Sequence, residues 1–145
     1  MAPGRLEDFA GCWQLRRRII DARAGVEGAF EGTAEFRPAA VGFVYDERGW
    51  LTYAGQAPLQ ATRRYLWRED GPGRIVVDQA DGTAFHRFSL GCVAEARHTC
   101  VPDFYRVTYD FSGWPRWRAT WRVIGPRKGY VSVTDYHRDA AGAAA

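Results

Sequence analysis

The chain has 145 residues, 46% hydrophobic and 26% charged, which is ordinary for a globular protein and long enough for one domain with a sizeable core. Its formal charge of +3 rests on 19 Arg and one Lys, and the longest basic run is Arg16-Arg17-Arg18, which argues against a nucleic-acid partner. Three cysteines without paired spacing argue against a disulfide framework or zinc knuckle, and no apolar run approaches the ~18 residues of a membrane span. The N-terminus has no charged segment followed by a long apolar run, so a reduced bacterial cytoplasm is the expected compartment.

Arg5 to Ala10 predicts one helical turn with Leu6 and Phe9 facing inward. Gly11 to Ile20 predicts the strand around which the rest is arranged. Read with period two, Trp13, Leu15, Arg17 and Ile19 share one face, and only Arg17 breaks its apolar character. Gly28 to Arg37 alternates in the same way and pairs with it across a loop at Asp21 to Gly25. Two shorter strands, Val41 to Glu47 and Trp50 to Ala54, are expected on either side of a turn at Arg48-Gly49. Further strands are expected over Leu59 to Arg68, Arg74 to Gln79, Thr83 to Leu90, Glu95 to Val101, Phe104 to Phe111, Trp117 to Ile124 and Tyr130 to Arg138.

Nine or ten short strands at roughly ten-residue spacing, with no long helix, predict an all-β antiparallel up-and-down barrel of about 8–10 strands. Residues 1–138 are expected to form a single domain and 139–145 a disordered tail of small residues.

Gly11-Cys12-Trp13 opening the first strand resembles the GxW signature of lipocalins and related calycin barrels. In those folds the Trp closes one end and stacks on a basic side chain of the last strand, which makes Arg138 the implied partner of Trp13. A fuller likeness runs through the Gly11–Asp21 alternation, Arg63-x-Tyr65-x-Trp67, Phe85-His86, His98-x-Cys100-x-x-Asp103-x-Tyr105, Trp121-x-Val123-x-Gly125-Pro126-x-Lys128 and Tyr136-x-Arg138. This series is similar to a bacterial and fungal family of lipocalin-like domains of unknown function. The resemblance implies the fold and the single-domain size, and no activity.

Extending the alternation gives an interior rich in polar groups: Arg17, Tyr45, Glu47, Arg63, Tyr65, Trp67, His98, Cys100, Asp103, Tyr105, Tyr109, Trp121 and Tyr136. Unpaired polar groups in a dry core are costly, so these either satisfy one another or surround a cavity that meets a ligand. Two guanidiniums with tyrosine hydroxyls suit a carboxylate or phosphate head, and aromatic walls suit an apolar body. The expected ligand is therefore a small hydrophobic or amphipathic anion. Arg17 and Arg63 would hold its head with Tyr65, Tyr105 and Tyr109; Trp67 and Trp121 would line the cavity, and His98 would tune its polarity. The alternative for Arg17 is a structural pair with Glu47 or Asp103.

His98, Cys100, Asp103 and His86 are competent metal ligands but lack a metal-site framework; haem ligation by His86 or His98 is not distinguished from a core histidine, and the cofactor is left open. An enzyme of lyase, isomerase or hydrolase type with His98 or His86 as general base is the rival from another class. A non-catalytic interaction module is the third reading, and a homodimer is left open. Gly125 to Gly129 lacks the phosphate-loop pattern and is expected to be a turn.

Overall fold

A computed structural model describes residues 2–138; the expected tail at 139–145 lies outside the described residues. Ten antiparallel strands follow one 3-10 turn, Leu6–Phe9. They are β1 (Gly11–Asp21), β2 (Val26–Pro38), β3 (Phe43–Tyr53), β4 (Leu59–Glu69) and β5 (Arg74–Gln79), then β6 (Ala84–Ser89), β7 (Val93–Cys100), β8 (Asp103–Asp110), β9 (Trp117–Ile124) and β10 (Gly129–His137). Sequence neighbours pair from β1 to β6 and from β7 to β10, and β1 pairs with β10. Among the described residues β6 and β7 touch without a hydrogen-bonded ladder, so the barrel is nearly closed.

The alternation in β1 is borne out: Trp13, Leu15 and Arg17 are buried while Cys12, Gln14, Arg16 and Arg18 are exposed. In β9, Trp117, Ala119 and Val123 are buried and Trp121 is half-buried, while Arg118 and Arg122 face solvent. Outer-face charges pair across strands, as in Arg118–Asp135 at 2.7 Å and Arg64–Asp46 at 2.6 Å, contacts that add little to stability in water.

The end near the N-terminus is closed by aromatic packing. Leu6 and Phe9 are buried on the 3-10 turn, and the Trp13 indole donates to the Phe9 carbonyl at 2.9 Å. Arg138 lies over the Trp13 ring at 4.1 Å from its centroid and donates to the Asp8 carbonyl, so the partner implied by the lipocalin resemblance is the one found.

One expectation is corrected. Arg48-Gly49 is not a turn: β3 runs unbroken from Phe43 to Tyr53. Gly49 pairs directly with Gly32 of β2, where a Cβ on Gly49 would lie 2.2 Å from the Glu31 carbonyl oxygen and one on Gly32 would lie 2.0 Å from that of Arg48. Glycine is required here because two strands approach each other closely.

Candidate functional site

Opposite the closed end, the barrel opens into a cavity of about 510 Å³. Its floor is an ionic network. Arg17 of β1 donates through Nη1 and Nη2 to both carboxylate oxygens of Glu47 on β3, at 2.9 and 2.7 Å, and through Nε to Thr134 of β10 at 2.7 Å. Tyr45 donates to Glu47 at 2.5 Å and meets the Tyr136 hydroxyl at 2.7 Å. Burial pushes the Glu47 carboxyl up, but the hydrogen bonds and charge of Arg17 outweigh it and hold the group below its usual value. Burial likewise pushes the Tyr45 and Tyr136 hydroxyls up, so both stay protonated. The structural pair for Arg17 is thus with Glu47. Asp103 lies elsewhere, 3.1 Å from Lys128 at the rim.

Arg63 is in a different position. It stands directly opposite Glu47 in the β3–β4 register, as close a natural partner as a sheet provides. Glu47, however, gives both oxygens to Arg17, and among the described residues Arg63 forms no ion pair. Arg63 lines the cavity and remains accessible to solvent.

The wall beside it is aromatic. Tyr65 stacks on Phe85 with centroids 5.4 Å apart, and Phe85 stacks on Trp121 at 5.1 Å with planes only 3° apart. His98 and Phe85 form a T-shaped pair with centroids 5.2 Å apart, and Tyr105 lies nearby, taking a hydrogen bond from Lys128 at 3.2 Å. A register irregularity places Phe85 there. The β5–β6 pairing steps from Val77↔His86 to Asp78↔Ala84 and leaves Phe85 without a partner, so Phe85 and His86 are both buried in succession.

Of the eight residues predicted for the site, Arg17, Arg63, Tyr65, His98, Tyr105 and Trp121 surround the open cavity. Trp67 and Tyr109 lie deeper, around a chamber of about 30 Å³ whose walls share Arg17, Glu47, Arg63, Tyr65 and Trp121 with it. His86 sits at this depth with Nε2 2.8 Å from the Tyr109 hydroxyl, and burial, with a smaller effect of nearby His98, lowers its pKa to about 3. Phe85, Tyr130 and Ser132 also line the open cavity and were not among the predicted site residues. Tyr130 and Ser132 continue the period-two pattern of Thr134 and Tyr136 and were findable on that signal, whereas Phe85 depends on the bulge. Cys100 lines the cavity and, like Cys12 and Cys92, is an exposed free thiol. Among the described residues no group of three or more His, Cys, Asp or Glu side chains converges as a metal site requires.

No helix among the described residues is long and apolar enough to cross a membrane. No curated protein matches the chain in sequence. Two solved structures share its fold. The S-type phycobiliprotein lyase from Guillardia theta aligns with a TM-score of 0.66 at 9% identity, covering 92% of this chain and 90% of that one. A protein of unknown function from the DUF3598 family of Nostoc punctiforme aligns at 0.58 and 10% identity, covering 93% of this chain and 49% of that one. Identities this low show a common barrel and nothing finer. The model of the family of unknown function DUF6314 matches residues 9–138, from the closing turn to the arginine that caps Trp13, and the chain belongs to that family.

Proposed function

We propose that this protein binds a small amphipathic anion in the open cavity of its barrel. The observation that carries the reading is Arg63: a guanidinium that lines the cavity, lacks an ion pair among the described residues, and stands beside the Tyr65–Phe85–Trp121 stack. A carboxylate or phosphate head would take the fork of Arg63, and an apolar body would lie along the rings. Arg17 contributes less than a free cation would, since Glu47 and Thr134 occupy three of its five N–H donors. Tyr65, Tyr105 and His98 supply the remaining polar contacts. The fold shared with a phycobiliprotein lyase is compatible with a guest held inside a barrel. Three free, exposed thiols suit a reduced compartment such as the cytoplasm.

Of the two general bases in the catalytic alternative, His86 is buried away from the mouth and burial lowers its pKa to about 3, too weak a base, which leaves that alternative His98 on the cavity wall.

The test is native mass spectrometry of freshly purified protein, followed by titration with 1-anilinonaphthalene-8-sulfonate, an amphipathic anion. Arg63→Ala, which removes no protein–protein ion pair, is expected to weaken binding about 10–100-fold, the worth of a hydrogen-bonded charge. Unchanged affinity in Arg63→Ala overturns the assignment of the head group to this residue.

A further inference from the structure

At the open end of the barrel three apolar side chains face water together. Phe104 of β8 stands directly opposite Ile124 of β9, and Val101 occupies the turn that joins β7 to β8. Their exposures are 59%, 67% and 84%. Strand alternation explains the orientation: the adjacent residues Tyr105 and Val123 line the cavity, so Phe104 and Ile124 point outward from its rim. Large apolar groups gathered at one exposed edge mark a surface on which something docks.

Further from the mouth, on the same outer face, the side chains change from apolar to cationic. Arg97, Arg106 and Arg122 stand abreast across β7, β8 and β9, and all three are exposed. Like charges directly opposite one another destabilise a sheet. Among the described residues the row meets one carboxylate, Glu95, 3.3 Å from Arg97 and 4.0 Å from Arg106, and Arg122 forms no ion pair. Arg127, exposed in the turn from β9 to β10, adds a further cation at this end. Phe104 and Arg106 are two residues apart on their strand, as are Ile124 and Arg122, which sets the apolar edge about 7 Å beyond the arginine row.

That order and spacing match the surface of an anionic bilayer, where phosphates give way to hydrocarbon over a comparable depth. With the apolar edge at the acyl boundary, the guanidiniums lie level with the phosphates, whose oxygens suit their forked donors. Other occupants satisfy one half of the surface only. A two-fold dimer through this edge would bring one arginine row against another, and a nucleic acid would leave the aliphatic Val101 and Ile124 without a partner.

We infer that this edge docks on an anionic lipid bilayer, with Val101, Phe104 and Ile124 entering the interface and Arg97, Arg106 and Arg122 binding lipid phosphates. The surface lies outside the cavity and does not depend on the ligand-binding reading above. Docking there sets the mouth beside the bilayer, since Tyr105 and Val123 line the cavity from the inner face of the same strand ends.

The experiment sediments the full chain with sucrose-loaded vesicles, either of phosphatidylcholine alone or of phosphatidylcholine mixed with phosphatidylglycerol. The expected result is binding to the mixed vesicles, little to the neutral ones, and release at about 1 M salt. Each arginine should contribute about fivefold, so Arg97→Gln/Arg106→Gln/Arg122→Gln should weaken binding about a hundredfold. Phe104→Ser/Ile124→Ser should weaken it about tenfold. Arg116→Gln removes the same charge beside Trp114 and Trp117, which pack on Trp13 at the closed end, and should change binding less than about twofold. Near-ultraviolet circular dichroism checks each fold; if the apolar double variant fails, Val101→Ser in its exposed turn replaces it, with an expected loss of about fivefold. Absence of sedimentation, equal binding to both vesicle types, or wild-type binding by the arginine or the apolar variant overturns the proposal. A dimer of the wild type that the apolar variant loses in size-exclusion chromatography also overturns it and assigns the edge to a second copy. The cavity reading is tested separately through Arg63 and survives any of these results.

Discussion

Replacing Glu47 by Gln is the sharpest test of the interior. The substitution keeps the volume and removes the charge, leaving Arg17, only 9% exposed, without its counter-ion. Removing one partner of a buried, hydrogen-bonded ion pair costs about 3–5 kcal/mol, most of it the penalty of an uncompensated buried charge. The unfolding entropy expected for 145 residues is about 0.3 kcal/mol/K, so each kcal/mol moves the midpoint by about 3 °C. Glu47→Gln should therefore lower Tm by about 10–15 °C, read by near-ultraviolet circular dichroism. The double variant Arg17→Met/Glu47→Leu removes both charges and leaves Tyr45 its bond to Tyr136, so it should lose less than Glu47→Gln alone. A Glu47→Gln midpoint within about 3 °C of wild type, or a double variant worse than the single, would refute the account of a tightly coupled buried pair.

Two further predictions concern acid and backbone. His86 is held at about 3, against about 6.5 for an exposed imidazole, so between those values the unfolded chain binds a proton that the folded chain refuses. The stability this group confers is present above pH 6.5 and drains away below it, amounting to about 2 kcal/mol between pH 7 and pH 5. The depressed Glu47 carboxyl acts in the same direction, but only below its ordinary value of 4.5, outside that interval. Urea titrations at pH 7 and pH 5 should show the loss in wild type and its absence in His86→Gln; equal losses in both would rule out a buried neutral imidazole. At the close approach of β2 and β3, Gly49→Ala drives a methyl to 2.2 Å from the Glu31 carbonyl oxygen and should cost about 2–3 kcal/mol. Gly91→Ala, with open space around it, serves as the control, and equal stability of the two variants would dismiss the close approach.

The barrel was legible because its strands obey a two-residue period that depends only on which face is wet. Trp13-x-Leu15-x-Arg17 and Trp117-x-Ala119-x-Trp121-x-Val123 point inward as their alternation requires. What escaped were features set by two strands together. Arg48-Gly49 reads as a turn in isolation, and only the facing Gly32 reveals a close approach of two paired backbones. Phe85 enters the cavity because β6 carries one residue more than β5 can pair, which no pattern within β6 announces. The polar interior was visible as a set, and the cross-strand geometry then decided the pairing: Glu47 faces Arg63 in register yet bonds Arg17.

That choice of partner shapes the chemistry of the cavity. Two guanidiniums flank the Glu47 carboxylate at the floor, and because it bonds Arg17, Arg63 is left as a cavity-lining cation without an ion pair among the described residues. Alone in water such a charge binds anions weakly, since at 4 Å an ion pair is worth about 1 kcal/mol at the dielectric constant of bulk solvent. The stacked rings of Tyr65, Phe85 and Trp121 change this once an apolar body lies against them and expels the water. The same contact at an effective dielectric of about 20 is worth about 4 kcal/mol. The rings and the cation are therefore not independent sources of affinity. A small hydrophilic anion leaves the cavity wet and gains little from Arg63, and an uncharged hydrocarbon dries the cavity and leaves Arg63 desolvated without a partner. Only a molecule that carries both a head and an apolar body lets each half strengthen the other, which is the physical reason the proposed ligand is amphipathic.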